Sequence, residues 1–187
     1  MRVIAGSARG IRLMAPAGEQ TRPTADRVKE ALFSIIASRR ELVGARVLDI
    51  CAGTGSLGIE ALSRGAASCS FIEQNRPVLE VLQRNLGRAG LASKGECLAL
   101  EALSGLKLLV RKGKRFDICF FDPPYSSNLY KPVIEALSSF ALLADDALLV
   151  AECSSRSLLA DNVGELVKID SRIYGDTALE FFARESS

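Results

Sequence analysis

Short apolar segments alternate with amphipathic segments along most of this sequence, and this alternation restricts the fold more than any other feature. Apolar runs with the length of a strand are separated by runs with helical periodicity. Strands that are apolar almost throughout are typical of a parallel sheet covered by helices on both faces. The strands predicted in this way are residues 46–50, 68–73, 97–100, 116–121 and 147–153, and the helices between them are residues 56–64, 77–89, 102–110 and 131–140.

The two ends of the chain add elements of other kinds. Residues 2–15 predict a short hairpin, and residues 16–23 predict a loop. Thr24 has the character of a helix N-cap, which predicts a helix from there to about Arg40. The last elements are an antiparallel strand pair over residues 166–174 and 178–183. We therefore expect an α/β fold with a mostly parallel seven-stranded sheet. We expect one domain over 1–187, with a basic N-terminal arm (1–23) and a core (24–187).

Composition is typical of a soluble globular protein. The chain has 187 residues, of which 48% are hydrophobic and 25% are charged, and a chain of this length buries a core without cross-links. No apolar run approaches the ~20 residues that span a bilayer. Arg2, Arg9 and Arg12 leave no apolar stretch for a signal peptide. We expect a monomeric cytoplasmic protein without a membrane segment.

The sequence contains no histidine and five cysteines. The lack of histidine removes the commonest metal ligand and the usual Ser-His and Cys-His catalytic pairs. No two cysteines have Cys-x-x-Cys spacing, and each lies in or beside an apolar stretch, as is typical of small buried side chains in a reducing compartment. We therefore expect no metal site.

Charge is distributed unevenly, although the net charge of the whole chain is only +2. Residues 1–40 carry eight basic side chains and three acidic ones, which leaves +5 there and −3 on the remainder. Such a basic region is consistent with a surface that docks a polyanion. It is equally consistent with a solvated basic face.

A glycine-containing loop follows the strand predicted at 46–50 and leads into a helix. Gly53-x-Gly55-x-x-Gly58 matches the dinucleotide fingerprint, and Glu73 follows at a suitable distance. Nicotinamide or flavin dinucleotides and S-adenosylmethionine therefore compete as the cofactor. Asp49 favours the second, because a carboxylate there suits an ammonium and a sulfonium group and would repel a pyrophosphate.

Asp122-Pro123-Pro124-Tyr125 follows the strand predicted at 116–121. The two prolines remove two backbone donors, so the loop presents mainly oxygen acceptors. The Asp122 carboxylate and the Pro123 carbonyl can each accept one hydrogen of a planar NH₂ group. Tyr125 can stack on a base. We expect these four residues to be catalytic, in an in-line methyl transfer for which positioning matters more than a strong general base.

Together these segments resemble the bacterial 16S ribosomal RNA guanine-N2 methyltransferase family (RsmD-like) over nearly the whole chain. The resemblance is carried by Met1-Arg2-Val3-Ile4-Ala5-Gly6 with Arg9-Gly10, by Thr21-Arg22-Pro23-Thr24-x-Asp26-Arg27-Val28-Lys29-Glu30-Ala31-Leu32-Phe33, by Asp49-x-x-Ala52-Gly53-Thr54-Gly55-Ser56-Leu57-Gly58-Ile59-Glu60-Ala61, by Phe71-Ile72-Glu73, by Asp122-Pro123-Pro124-Tyr125 and by Tyr174-Gly175-Asp176-Thr177. The N-terminal Arg-Pro-Thr-x-Asp-Arg block separates this family from DNA adenine methyltransferases.

The resemblance implies a Rossmann-like class I methyltransferase that binds S-adenosylmethionine and forms N2-methylguanosine in 16S rRNA of a partly or fully assembled small subunit. It implies that Glu73 binds the ribose hydroxyls and that Glu101 lies near the adenine amino group, where relatives more often carry Asp or Asn. The implied cofactor-binding residues are Thr24, Asp49, Cys51, Ala52, Gly53, Thr54, Gly55, Glu73, Gln74, Glu101 and Asp122. The implied RNA-binding residues are Arg2, Arg9, Arg12, Arg22 and Arg27.

Two alternatives stay open. A methyltransferase of the same class acting on DNA adenine, a tRNA or a glutamine side chain would carry a similar Asp-Pro-Pro-Tyr motif. A dinucleotide-binding protein would account for the glycine pattern with Glu73.

Overall fold

The computed structural model describes residues 1–15, 23–124 and 128–184, with the side chains of residues 23–25 left undescribed. Its elements in chain order are α1 (Pro23–Arg39), β1 (Arg46–Ile50), α2 (Ser56–Ser63), β2 (Ser68–Ile72), α3 (Arg76–Arg88), β3 (Gly95–Leu98), α4 (Ala102–Arg111), β4 (Phe116–Phe121), α5 (Tyr130–Ser139), β5 (Leu143–Ser154), β6 (Asn162–Val163), β7 (Leu166–Tyr174) and β8 (Thr177–Arg184). Within these ranges, every helix is too short or too polar to cross a membrane.

The strands form one sheet in the order β3-β2-β1-β4-β5-β8-β7-β6. The first five strands of this order are parallel, and β8, β7 and β6 are antiparallel to their neighbours. The chain leaves β1 towards one edge of the sheet and later returns to place β4 on the other side of β1. Such a reversal of strand order opens a crevice at the carboxyl ends of the central strands.

The prediction of a mostly parallel sheet with an antiparallel C-terminal pair is confirmed, and all seven predicted strands are present. Within the described residues the sheet has an eighth strand, because the two residues of β6 pair with the start of β7 at the sheet edge. The strand predicted at 147–153 begins earlier, since Leu143 already pairs with Phe116. The first helix begins at Pro23, where proline is well suited to a first helical position, so Thr24 is not its N-cap.

Each face of the sheet packs against its own set of helices. Phe120 belongs to the core shared with α1, α2, α3 and the N-terminal hairpin, whereas Phe121 belongs to the core shared with α4 and α5. The alternation follows from the two-residue period of a strand. The central strands β1 and β4 are therefore buried on both faces, as the sequence pattern predicts.

The predicted N-terminal hairpin is present and packs against α2. Arg2 and Arg12 form an antiparallel bridge, and the backbone NH groups of Ile4 and Ala5 donate to the two carboxylate oxygens of Glu60 at 2.7 and 3.0 Å. Gly6 lies so close to α2 that an added Cβ would stand 1.8 Å from the Ser63 carbonyl oxygen. The hairpin is thus fixed against the second half of α2.

Candidate active site

A cavity of about 870 Å³ opens at the carboxyl ends of the parallel strands, at the crevice that the strand order creates. Its volume is in the range of about 300–1,000 Å³ that small-molecule sites occupy. The loops after β1, β2, β3 and β4 all contribute to it. The lining residues are Met1, Cys51, Ala52, Gly53, Thr54, Ser56, Ile72, Glu73, Gln74, Asn75, Val78, Leu100, Glu101, Ala102, Leu103, Asp122, Pro123, Pro124, Leu129 and Glu152.

The loop between β1 and α2 forms one wall with a backbone that ordinary residues rarely adopt. Cys51, Gly53 and Gly55 have φ angles of 60°, 54° and 82°, and a non-glycine residue there costs on the order of 1–3 kcal/mol. An added Cβ at Gly55 would approach Leu82 to 2.9 Å, whereas one at Gly53 would meet no protein atom within 4 Å. Gly53 therefore presents bare backbone to open space.

Glu73 fastens this loop to the end of β2. Its two carboxylate oxygens accept the backbone NH groups of Gly53 at 2.9 Å and Asn75 at 2.8 Å. A carboxylate oxygen has two lone-pair sites, so each oxygen retains one for a hydroxyl group in the cavity. Glu73, which was predicted to bind a ribose, thus also supports the loop between β1 and α2 that contains Gly53 and Gly55 (the glycine loop).

Asp49 does not contact the cavity as the sequence interpretation expected. Its side chain is only 2% exposed and accepts the backbone NH of Gly58 at 2.9 Å. The two-residue period of β1 directs Asp49 towards the first turn of α2, where a carboxylate satisfies a free helical NH group. Burial raises the pKa of this carboxyl to about 7, against the opposing effect of the Gly58 NH.

Gly58, the third glycine of the dinucleotide-like pattern, has a packing role. An added Cβ would come within 2.3 Å of Phe71 and 2.7 Å of the Cys69 Sγ. Glycine is therefore required where α2 crosses β2, whatever the cofactor. The spacing Gly-x-Gly-x-x-Gly does not by itself favour a dinucleotide here.

The loop after β4 forms the opposite wall. The backbone NH of Asp122 donates to the Ile50 carbonyl at 3.3 Å, which ties the two loops together at the sheet edge. Pro123 is buried and Pro124 is exposed, and both line the cavity. Tyr125 lies outside the described residues, so its predicted stacking role stays a prediction.

The carboxyl of Asp122 is surrounded by other acids. Its side chain is exposed to the cavity, but protein atoms enclose it on its other sides. This desolvation raises the pKa of Asp122 well above its usual range, and the negative charges of Glu152 and Asp49 raise it further. Burial likewise raises the pKa of the Cys51 thiol to about 12, so this cysteine stays protonated.

Most of the other predicted cofactor residues lie on the cavity wall. Cys51, Ala52, Thr54, Gln74 and Glu101 line it, and Glu101 precedes α4 with an exposed side chain. Gly55 is not among the lining residues and supports the loop from behind. The side chain of Thr24 lies outside the described part of the chain.

Several residues near the site were not singled out from the sequence, among them Leu129 and Glu152 on the cavity wall and Asn85 behind the loop between β1 and α2. Asn85 is fully buried, and its amide donates to the Thr54 carbonyl at 3.0 Å and to the Met14 carbonyl at 3.1 Å. It thereby connects α3, the glycine loop and the hairpin. The buried position of an asparagine among leucines in α3 was the available signal for it.

None of the predicted RNA-binding arginines that the structure describes lines this cavity. Arg2, Arg9, Arg12 and Arg27 are exposed on the hairpin and α1, with Arg2 3.5 Å from Asp26. Arg22 lies outside the described residues. Met1, the first residue of the hairpin, does line the cavity.

Comparison with known proteins places the chain in one family. The family model described as Conserved hypothetical protein 95 matches residues 1–183. Ribosomal RNA small subunit methyltransferase D of Escherichia coli K12 is 35% identical over 186 residues, covering 100% of this chain and 91% of that protein. The protein of the same name from Haemophilus influenzae is 37% identical over 153 residues, covering 81% of this chain and 78% of that protein.

Solved structures agree with this assignment. A hypothetical protein from Thermus thermophilus superposes with a TM-score of 0.83 at 28% identity, covering 99% of each chain. The predicted Rossmann-like fold is confirmed, and the matches favour a methyltransferase over the dinucleotide-binding alternative. The chain therefore belongs to the family described as Conserved hypothetical protein 95, and it is an RsmD-like methyltransferase.

Proposed function

We propose that this protein uses S-adenosylmethionine to methylate the exocyclic N2 of a guanine in 16S rRNA of the small ribosomal subunit. The name of its Escherichia coli relative supports small-subunit rRNA as the substrate class. The proposal rests above all on one observation. Asp122 and its two prolines close the same cavity that the glycine loop and Glu73 form.

The residues of the cavity fit S-adenosylmethionine. Gly53 offers open backbone on one side, and Glu73 keeps acceptor sites for a pair of ribose hydroxyls. Glu73, Glu101, Asp122 and Glu152 give the wall a negative character that suits a cation and opposes a pyrophosphate. When bound, S-adenosylmethionine supplies a methyl group on a positively charged sulfur.

Asp122 and Pro123 would hold the amino group that receives the methyl. Acceptance of one amino hydrogen by the carboxylate and the other by the Pro123 carbonyl fixes the nitrogen and turns its lone pair out of conjugation. The nitrogen becomes acidic once it carries a fourth substituent, so the proton leaves without a strong base. Positioning of this kind accounts for much of the rate of an in-line displacement.

The exposed arginines of the hairpin and α1 would dock the RNA backbone. Phosphate contacts position a nucleic acid and give its binding a strong salt dependence. Arg2, Arg9 and Arg12 lie on an element whose first residue reaches the cavity. We infer that the hairpin guides the target nucleotide towards Asp122.

Methyl transfer to isolated small subunits tests the proposal. Particles from a strain that lacks the enzyme are incubated with radiolabelled S-adenosylmethionine, and the nucleosides are then separated. The expected label is N2-methylguanosine in 16S rRNA. Label on adenine, or none, would refute the base assignment. Preferential labelling of tRNA, DNA or a glutamine peptide in parallel reactions would show that the substrate is that molecule and not small-subunit rRNA.

A further inference from the structure

Glu152 reaches the same wall of the cavity as Asp122, although the two residues are far apart in sequence. Phe121 at the end of β4 pairs with Ala151 in β5, so Asp122 and Glu152 follow at the same level of neighbouring parallel strands. Two residues earlier, Phe120 and Val150 belong to one core layer. The two-residue period of a strand therefore places both carboxyl groups on one face.

The two acids interact closely. Both line the cavity, and among charged side chains Glu152 raises the pKa of Asp122 most. The backbone around Glu152 is also held in place, because the Tyr130 hydroxyl donates to the Glu152 carbonyl at 3.1 Å. The ring of Tyr130 packs edge-on against Phe121 at 5.6 Å. Both side chains therefore line the cavity from adjacent, paired strands.

Guanine and adenine differ in the edge that they would present to such a pair. Guanine carries two adjacent donors, the N1–H and the N2 amino group, whereas adenine carries an amino group beside an N1 lone pair. A second carboxylate next to Asp122 satisfies the guanine edge and repels the adenine edge. A site that hydrogen-bonds the guanine N1–H disfavours adenine, because the carboxylate loses that hydrogen bond and meets the N1 lone pair instead.

We propose that Glu152 is the base-selecting residue of this site, accepting the guanine N1–H while Asp122 accepts the N2 amino group. This inference rests on the proposed function, since it assumes that a base enters the cavity with its amino group at Asp122. It assigns Glu152 to positioning and specificity. Glu152 takes no part in the transfer of the methyl group or in the loss of the proton from the nitrogen.

A base analogue tests the assignment. 2-Aminopurine keeps the N2 amino group and has an N1 lone pair in place of the N1–H. Small-subunit RNA is prepared with either guanine or 2-aminopurine at the mapped target position, and methylation rates are compared for the wild type, Glu152→Gln and Glu135→Gln. Glu135→Gln is the matched control, because Glu135 lies on the exposed face of α5 beside Lys131.

The wild type should prefer guanine by at least about tenfold. Glu152→Gln should lower this ratio about tenfold or invert it, since an amide NH₂ can donate to the N1 lone pair. Glu135→Gln should keep the wild-type ratio. Binding of S-adenosylhomocysteine and thermal unfolding report whether each variant is folded. If Glu152→Gln does not fold, the inference is tested by the ratio of guanine to 2-aminopurine methylation in the wild type.

A wild-type ratio within about twofold of one, or equal loss of both substrates in a folded Glu152→Gln, would overturn the inference. Absence of N2-methylguanosine from natural particles treated with the wild type would overturn the proposed function, and this inference with it. Normal guanine methylation without base discrimination would overturn this inference alone.

Discussion

Glu60 and Asp122 are two acids on the same side of the sheet with opposite surroundings. The carboxylate of Glu60 is fully buried, accepts two backbone NH groups, and lies 2.8 Å from the Arg64 guanidinium and 3.5 Å from the Lys29 ammonium. The charged groups that shift the pKa of Asp122 are two further carboxylates, Glu152 and Asp49. One acid is compensated by cations, and the other is held among like charges.

This difference indicates a structural role for Glu60 and a chemical role for Asp122, although both lie on the same side of the sheet. Glu60 joins the hairpin, α1 and α2, because its partners come from all three. Asp122 instead lines the cavity, where a ligand can reach its carboxyl group. Like charges at close range are unfavourable unless a ligand relieves them, and clustered acids of this kind are typical of functional sites.

Removal of the Glu60 charge should have the largest effect on stability. Glu60→Gln leaves the buried Lys29 ammonium without its counter-charge, which costs on the order of 3–5 kcal/mol in the free energy of unfolding. Urea unfolding measures this loss. Glu80→Gln, which alters an exposed pair with Arg84, should change stability by less than about 0.5 kcal/mol. Equal effects of the two variants would contradict the structural role of Glu60.

Asp49→Asn should increase the free energy of unfolding, and only at higher pH. The folded-state pKa of Asp49 is raised from 3.8 to about 7. The stability contribution of the neutral carboxyl is therefore complete below pH 4 and is lost as pH rises towards 7. Asparagine avoids this loss and keeps an acceptor for the Gly58 NH. The variant should gain up to about 4 kcal/mol relative to wild type above pH 7 and little near pH 4.

Unfolding curves for both proteins at pH 4, 6 and 8 check the Asp49 prediction. A stability difference that does not change with pH would show that the carboxyl is already ionised without cost in the folded protein. A difference of opposite sign would show that the ionised form is stabilised where it lies.

Asn85→Ala should weaken both the fold and the cofactor site. It leaves the Thr54 carbonyl and the Met14 NH and carbonyl without their amide partner, a loss of about 1–3 kcal/mol. Because Thr54 lies in the glycine loop, S-adenosylhomocysteine should also bind more weakly by calorimetry. Gln83→Ala, at an exposed position of the same helix, is the control. Loss of stability with unchanged cofactor affinity would limit Asn85 to a purely structural role.

Arg12→Gln should have the smallest effect, confined to RNA. One lost phosphate contact should reduce affinity for small-subunit RNA a few-fold and lower the slope of log affinity against log salt by about one. Filter binding at several salt concentrations measures the slope. Arg88→Gln, at the end of α3, should leave it unchanged. An unaltered slope for Arg12→Gln would remove this residue from the docking surface.

Local patterns in the sequence predict the elements that have local causes. β4 (Phe116–Phe121) and β7 (Leu166–Tyr174) have the bounds that the sequence predicts. β5 was predicted too short, because Asp145 and Asp146 interrupt the apolar pattern although Leu143, ahead of them, already pairs with Phe116. β6 has only two residues and no pattern of its own, so only its pairing with β7 defines it.

The candidate site likewise contains residues that local motifs predict and residues that only the tertiary fold brings together. The glycine loop and Asp122–Pro124 are contiguous motifs, and the sequence places them correctly on the cavity wall. Glu152 reaches the site only through the pairing of β4 with β5, which no local motif records. The Asp49 side chain points towards α2 because of the way α2 packs on β1. Its carboxylate accepts the backbone NH of Gly58 and does not face the cavity.

The comparison of Glu60 with Asp122 is tested most directly by measuring binding and transfer separately in Asp122→Ala, with Asp146→Ala at an exposed position as control. Asp122→Ala should unfold no more readily than the wild type and bind S-adenosylhomocysteine within about threefold of it. Methyl transfer to small subunits should fall at least about a hundredfold. Retained transfer, or loss of cofactor binding together with transfer, would contradict the assignment of Asp122 to the acceptor nitrogen.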